Sequence, residues 1–171
     1  MDLARLEAGG GWFARTAQQV DSLFRRVIER HEREAASKGV SLESRVDPPD
    51  LVAHVDPVRM EQALQNLAAN ALRHTGRGGT VQLDASACQG GVVIAVRDTG
   101  EGIAPEHVGH VFDRFYKADT SRAGDGRGSG LGLSIVKAIV ERHGGRVTVR
   151  SQQGLETVFE IFVPGPEPIA P

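Results

Sequence analysis

The sequence predicts an α+β fold, a two-layer α/β sandwich in which one mixed sheet carries three main helices on one face. Three observations predict it. Apolar residues recur at helical spacing in three stretches, near 20–38, 57–74 and 132–143. Other runs alternate with the period of two that marks a half-buried strand, and two of them, Val81–Ala85 and Val92–Val96, flank the turn residues Gly90-Gly91. Helices and antiparallel hairpins in this order form a single sheet with a helical layer.

The elements follow in order. Asp2-Leu3-Ala4-Arg5-Leu6-Glu7 reads as a helix fragment cut off by Gly9-Gly10-Gly11. From Val20 the apolar positions 20, 23, 24, 27 and 28 form one stripe, and Gly39 is free to close the helix in a left-handed cap. Val40, Leu42 and Val46 suggest a strand, Pro48-Pro49 a break, and Leu51 to Val55 a second short strand. Asp56 then offers an N-cap and Pro57 a first helical residue whose missing N–H costs nothing. Met60, Ala63, Leu64, Leu67, Ala68, Ala71 and Leu72 form the buried face of that helix, which ends around His74-Thr75-Gly76. After the hairpin, residues 99–130 hold little periodicity and read as a long loop with a short helix inside it. Ile135, Val136, Ile139 and Val140 face inward on a third helix, stopped by Gly144-Gly145. Arg146–Arg150 and Thr157–Val163 alternate as two final strands, and the proline-rich end, 165–171, is expected to be disordered.

Composition narrows the function. A length of 171 residues suits one domain, and 20 basic against 22 acidic side chains give a net charge of −2, which excludes a basic nucleic-acid surface. One Trp, one Tyr and six Phe provide no stacking platform for single strands. The longest apolar run, Val92–Val96, falls far short of the roughly 20 residues that span a bilayer. No signal segment is legible, and the lone Cys88 forms neither a disulfide nor a CxxC site, so a reducing, cytoplasmic setting is expected. Glycine is the outlier: 21 residues, about 12% against a usual level of roughly 7%, with Gly124, Gly126, Gly128, Gly130 and Gly132 close together.

Three local patterns carry chemistry. Gln62, Asn66, Asn70 and Arg73 or His74 share one helix stripe opposite the core stripe. Asparagine is a mediocre helix former, so two of them one turn apart suggest a use, although a solvated face would also explain them. A carboxamide oxygen suits Mg²⁺ when phosphates supply most of the charge. Next, Asp98-Thr99-Gly100-Glu101-Gly102-Ile103 closes an apolar strand with a carboxylate followed by two glycines. Such a carboxylate must be paired or used, and as an acceptor it suits an exocyclic amine such as adenine N6. Taken alone, an ordinary Asp-Thr-Gly turn accounts for it. Third, Gly126-Arg127-Gly128-Ser129-Gly130-Leu131-Gly132-Leu133 runs straight into a helix. Glycines let successive N–H groups turn towards one anion, and the helix end adds its dipole. It is neither a P-loop nor a GxGxxG fingerprint, because no Gly-Lys-Ser/Thr occurs and leucine stands where the third glycine belongs.

Together and in this order, these elements resemble the ATP-binding catalytic domain of bacterial sensor histidine kinases, members of the superfamily shared with gyrase and MutL and built on the Bergerat-type fold. Glu61–Ala71 resembles the N box, Asp98–Ile103 the G1 box, Phe112-Asp113-Arg114-Phe115-Tyr116 the F box and Gly128–Leu133 the G2 box. The resemblance covers about residues 20–164 and implies a domain at 12–164, preceded at 1–11 by a remnant of the phosphoacceptor hairpin and its linker. It implies ATP and Mg²⁺ as the bound groups. Asn70 would hold Mg²⁺, and Asn66, Arg73 and His74 would face phosphates or ribose. Asp98 would accept from adenine N6, with Gly100, Gly102 and Ile103 beside the base. Residues 104–128 would form a lid anchored by Phe112 and Phe115. Tyr116 would line the nucleotide, and Lys117 would reach the γ-phosphate. Backbone N–H groups of Gly128, Ser129, Gly130, Leu131, Gly132 and Leu133 would cradle the triphosphate, with Thr157 near the floor of the adenine pocket. Asn66 and Lys117 are thereby the catalytic candidates.

Two departures stand out. Gly154-Leu155-Glu156-Thr157 replaces the usual Gly-x-Gly-Thr, and His74 stands where an aromatic residue is common. None of the six histidines has the neighbours of a phosphoacceptor; His31-Glu32-Arg33-Glu34 lacks the Thr-Pro. The acceptor is therefore expected on a dimerisation domain of the same parent protein, with a cognate response regulator downstream. The chain alone is expected to be monomeric, with no direct membrane contact. His107 and His110, beside Glu106, imitate a metal site but lack further ligands. His143 suits contact with a helix's negative end. The competing functions are an ATP-hydrolysing clamp, an anti-sigma-type serine kinase and a module that holds ATP without transferring it. The clamp enzymes carry a water-activating glutamate where Asn66 stands, and a carboxamide cannot take the proton.

Overall fold

A computed structural model describes residues 13–117 and 130–166. The elements are β1 (Thr16–Gln19), α1 (Val20–Lys38), β2 (Ser41–Asp47), β3 (Val52–Val55), α2 (Pro57–His74), β4 (Thr80–Cys88), β5 (Gly91–Asp98), α3 (Pro105–Val108), α4 (Gly132–Arg142), β6 (Arg146–Gln152) and β7 (Glu156–Pro164). Five strands form one sheet in the order β2-β4-β5-β7-β6. β2 lies parallel to β4 and every other pairing is antiparallel, so the sheet is mixed, as expected.

Local chemistry sets the helix ends as read. Gly39 takes φ 66° and closes α1, and the Asp56 carboxylate accepts the Arg59 N–H at the start of α2. The buried face of α2 is the expected set of seven residues, Met60 to Leu72. Strand alternation aims every second residue at the helices, and the register aligns them into rows across β4, β5, β7 and β6. Ala85, Ile94, Ile161 and Val147 form one row, and Leu83, Val96, Phe159 and Val149 the next. Both rows join the hydrophobic core with α1, α2 and α4. Over the sheet's other face, Arg97 pairs with Glu156, Arg150 with Glu160, and Arg146 lies over the Phe162 ring. Glu156, the residue that replaces a glycine, thus belongs to this charged outer face.

A polar node ties the start of the described chain to two helices. His143 is fully buried; its Nδ1 donates to the Ile139 carbonyl at the end of α4, and its Nε2 accepts the Asp56 N–H. Asp56 Oδ2 accepts the Ala14 N–H, Arg15 donates to the His143 carbonyl, and Phe13 stands edge-on to the imidazole. The expected contact with the helix end is present, but the imidazole makes it as a neutral donor, because Nε2 must keep its lone pair for Asp56.

Three features differ from the sequence reading. β1 was not anticipated: Thr-Ala-Gln-Gln has no apolar alternation, and pairing with β3 makes the strand. Gly165, the first residue of the stretch expected to be disordered, donates to the Gly90 carbonyl; residues 167–171 lie outside those described. Phe115 is not buried but 70% exposed. Its backbone takes φ 61° as its N–H reaches the Gly130 carbonyl at 3.0 Å, which turns the ring outward. Phe112 lies edge-on against Phe159 in the core, and Val111 packs against the core beside it.

Candidate nucleotide-binding site

The third row across the sheet changes character. Where the first two rows are apolar, this one reads Val81, Asp98, Thr157 and Ser151. Asp98 is 2% exposed and Thr157 4%. The Asp98 Oδ1 accepts the Gly100 N–H at 2.9 Å, so the loop that follows the strand folds back over its own carboxylate. Burial pushes the Asp98 carboxyl up to about 6; the Gly100 N–H and the nearby His74 oppose that rise, while Glu156 and Glu101 add to it. A buried carboxylate with one backbone donor is an acceptor held ready for an N–H donor.

The end of α2 forms the opposite wall. His74 Nδ1 lies 2.8 Å from Glu101 Oε1, and the Glu101 N–H donates to the His74 carbonyl, so the position where an aromatic is usual holds a polar clasp. Arg73, His74, Thr75 and Gly76 face Thr99, Gly100 and Glu101 across a cleft of about 440 Å³. Another cleft, about 470 Å³, lies beside Arg15, His54 and Pro164 and shares no residue with the polar row.

The two glycines of the Asp98 loop have a packing role that the sequence did not reveal. A Cβ on Gly100 would stand 2.4 Å from the His74 carbonyl oxygen. Gly102 takes φ 70°, and a Cβ there would stand 2.4 Å from the Gln152 carbonyl oxygen. Backbone-to-backbone contact with α2 and the β6–β7 turn therefore requires both. Gly102→Ala is expected to lower the melting temperature by several degrees and to weaken nucleotide binding at least tenfold, read by calorimetry.

The start of α4 meets α2 at Asn66, about two turns before the cleft beside Arg73. Leu131, at the N-cap of α4, makes no side-chain cap, unlike Asp56 on α2. Asn66 Nδ2 donates to the Gly132 carbonyl at 3.3 Å and ties α2 to this helix end. Asn70 lies one turn further along the same half-buried stripe. Leu133 packs against the core. Among the described residues no cluster of three or more His, Cys, Asp or Glu could hold a metal ion, so a cation here would take most of its ligands from phosphate. The Asn70 carboxamide, as a neutral oxygen donor, fits that demand.

Asp98, Thr157, Gly100, Gly102 and Ile103 meet at one end of the sheet, with Arg73 and His74 across the cleft. Asn66, Gly130, Leu131, Gly132 and Leu133 meet where α2 crosses α4. Tyr116 is half-buried and engaged with His107, while Lys117 is exposed. Gly128 and Ser129 lie outside the described residues. His107 bonds Tyr116 and His110 bonds Asp113, and both imidazoles lie against the Tyr116 ring. Two participants were missed: Glu101, the partner of His74, and Ser151, whose place was legible from alternation with Val147 and Val149.

Comparison with known proteins agrees with this geometry. Residues 55–167 match the family described as histidine kinase-, DNA gyrase B-, and HSP90-like ATPase. The sensor protein SrrB of Staphylococcus aureus is 35% identical over 167 residues, 98% of this chain but 28% of SrrB, so the chain spans under a third of that relative's length. Full-length ShkA, solved in complex with AMPPNP, superposes with a TM-score of 0.81 at 32% identity, covering 97% of this chain and 35% of ShkA. The catalytic domain of the histidine kinase ThkA gives 0.77 at 28% identity, covering 88% of this chain and 95% of that domain. The chain belongs to the histidine kinase-, DNA gyrase B- and HSP90-like ATPase family, as an ATP-binding catalytic domain of the sensor histidine kinase kind.

Proposed function

We propose that this domain binds Mg-ATP along α2, from the cleft beside the Asp98 loop to the start of α4, and donates the γ-phosphate to a histidine on a separate helical hairpin. The observation that carries the reading is the polar row, a buried carboxylate where the otherwise apolar core meets the loop that lines that cleft. Asp98 accepts the adenine N6 amine, and its charge disfavours a guanine carbonyl at that place. Thr157 and Ile103 border the base. Arg73 and His74 reach ribose or phosphate from the α2 side, and the first-turn amides of α4 receive the phosphates. Asn70 would hold Mg²⁺, which when bound offsets phosphate charge and fixes the triphosphate's geometry. Lys117 would add a cation at the γ-phosphate.

Catalysis in such a site is positioning and charge neutralisation, with the base supplied by the acceptor domain. Asn66 favours transfer over hydrolysis: its amide holds the Gly132 carbonyl, and no carboxylate stands there to activate water. ThkA has been solved in complex with the response regulator TrrA, and we extend a partner of that kind to this chain, together with a hairpin domain of the same parent. No helix among the described residues is long and apolar enough to cross a membrane; a cytosolic placement follows from the need for ATP.

The test is calorimetric titration with a non-hydrolysable ATP analogue, with and without Mg²⁺, beside GTP. Binding that is adenine-selective and strengthened by Mg²⁺ is expected. Asn70→Ala should remove the Mg²⁺ enhancement while leaving metal-free binding within about threefold. Transfer of labelled phosphate to a supplied hairpin domain then separates a kinase from a module that only holds ATP. Equal affinity for GTP would overturn the role of Asp98.

A further inference from the structure

Ser151 stands at the end of the polar row, on the edge strand β6, opposite Thr157. Three groups surround its Oγ. The Ile103 N–H lies at 2.8 Å, the Glu156 carbonyl oxygen at 2.9 Å and the Thr157 Oγ1 at 2.8 Å. An amide N–H can only donate and a carbonyl can only accept, whereas a serine hydroxyl has one proton and two lone pairs. One assignment satisfies all three contacts. Ser151 accepts from Ile103, gives its proton to the Glu156 carbonyl, and accepts the Thr157 proton on its remaining lone pair.

We propose that Ser151 is a positioning residue for base recognition: it holds the Thr157 hydroxyl proton away from Asp98, so that Thr157 offers only lone pairs to the pocket. The claim about the base rests on the ATP reading above; the claim about the proton does not. Thr157 and Asp98 are ladder partners, and the side chains of such pairs lie within about 5 Å of each other. A threonine proton released from Ser151 would turn to the carboxylate. Held by Ser151, it cannot, and Asp98 keeps the Gly100 N–H as its donor. The pocket floor then presents acceptors side by side. Such a floor suits the two protons of an exocyclic amine, with a water donating both to Thr157 and to the adjacent ring nitrogen. The same Oγ fastens the Asp98 loop, through Ile103, to the β6–β7 hairpin, where the Gly154 N–H donates to the Glu101 carbonyl. The elevated carboxyl of Asp98 agrees with a missing second donor. The other ionisable groups acting on Asp98 are His74 at the end of α2, Glu101 in its own loop and Glu156 on β7.

The experiment compares the whole chain with its Ser151→Ala and Ser151→Thr variants. Carbon-13 NMR follows the Asp98 carboxyl from pH 4 to 8 without ligand, and calorimetry gives the affinity for AMPPNP. In Ser151→Ala the freed Thr157 proton is expected to reach Asp98 and move its titration midpoint clearly down, while AMPPNP binding weakens by about three- to tenfold. Ser151→Thr keeps the hydroxyl and should restore both. An unchanged Asp98 midpoint in Ser151→Ala, or equal disturbance by alanine and threonine, would overturn the proposal and leave Ser151 a packing residue. Absence of AMPPNP binding to the unaltered chain would instead strike at the ATP reading, and the ligand-free titration would still decide the role of Ser151.

Discussion

Asp98→Asn is expected to abolish adenine-nucleotide binding and at the same time make the domain more stable at neutral pH. The two effects share one cause. Burial lifts the Asp98 carboxyl from 3.8 to about 6, so keeping it ionised above pH 6 costs the folded state about 2–3 kcal/mol. The sign follows from the raised value. The stabilising contribution is complete below the unfolded value near 4 and is lost as pH rises through about 6. Asparagine carries no such cost, and its oxygen can still accept the Gly100 N–H. At pH 7.5 the variant should melt roughly 5–10 °C above the unaltered chain, and the gap should close as pH falls towards 4. Nucleotide binding should show the opposite trend, weakening below about pH 6 as the carboxyl takes up a proton. Thermal melts and calorimetry across pH 4 to 8 check both. A variant that binds AMPPNP normally would remove Asp98 from base recognition. One that melts lower at every pH would mean that the carboxylate is a structural asset rather than a cost accepted for function.

His143→Ala should have the largest effect on stability alone, a loss of about 3–4 kcal/mol and a melting temperature lower by roughly 8–15 °C. It empties a fully buried ring site, leaves the Asp56 N–H without an acceptor and removes the edge-on partner of Phe13. The loss should depend on pH. Burial lowers the His143 pKa from 6.5, and Arg15 and Arg142 push it the same way, against the Ile139 carbonyl and Asp56. A lowered value means that the stabilisation is present above 6.5 and is lost as pH falls through the folded-state value. Melts from pH 8 to 5 should therefore show the difference between the two chains shrinking on the acid side. This runs opposite to the Asp98 effect, so the single variants resolve two trends that would partly cancel in the unaltered protein. A difference constant with pH would mean that the imidazole does not depend on its neutral form.

The sequence by itself determined most of the fold. The stripe from Met60 to Leu72, the Asp56 cap, Gly39 and the β4–β5 hairpin are written in local spacing, because burial of one face and the backbone rules of glycine and proline act within a few residues. The boxes were legible only together: a solvated face accounts for Asn66 and Asn70 and an ordinary turn for Asp98, and it was their order along the chain that carried the resemblance. The tertiary structure alone decided what spans distance. β1 exists because β3 offers a partner, and Phe115 faces outward because its N–H meets Gly130. Gly100 and Gly102 are demanded by the close approach of the His74 and Gln152 carbonyls. Ser151, Thr157 and Asp98 became a single row only when sheet register aligned β5, β7 and β6. A strand's sequence states which face a residue takes, whereas its neighbour on the next strand is set by pairing, and on that pairing the direction of a single hydroxyl proton depends.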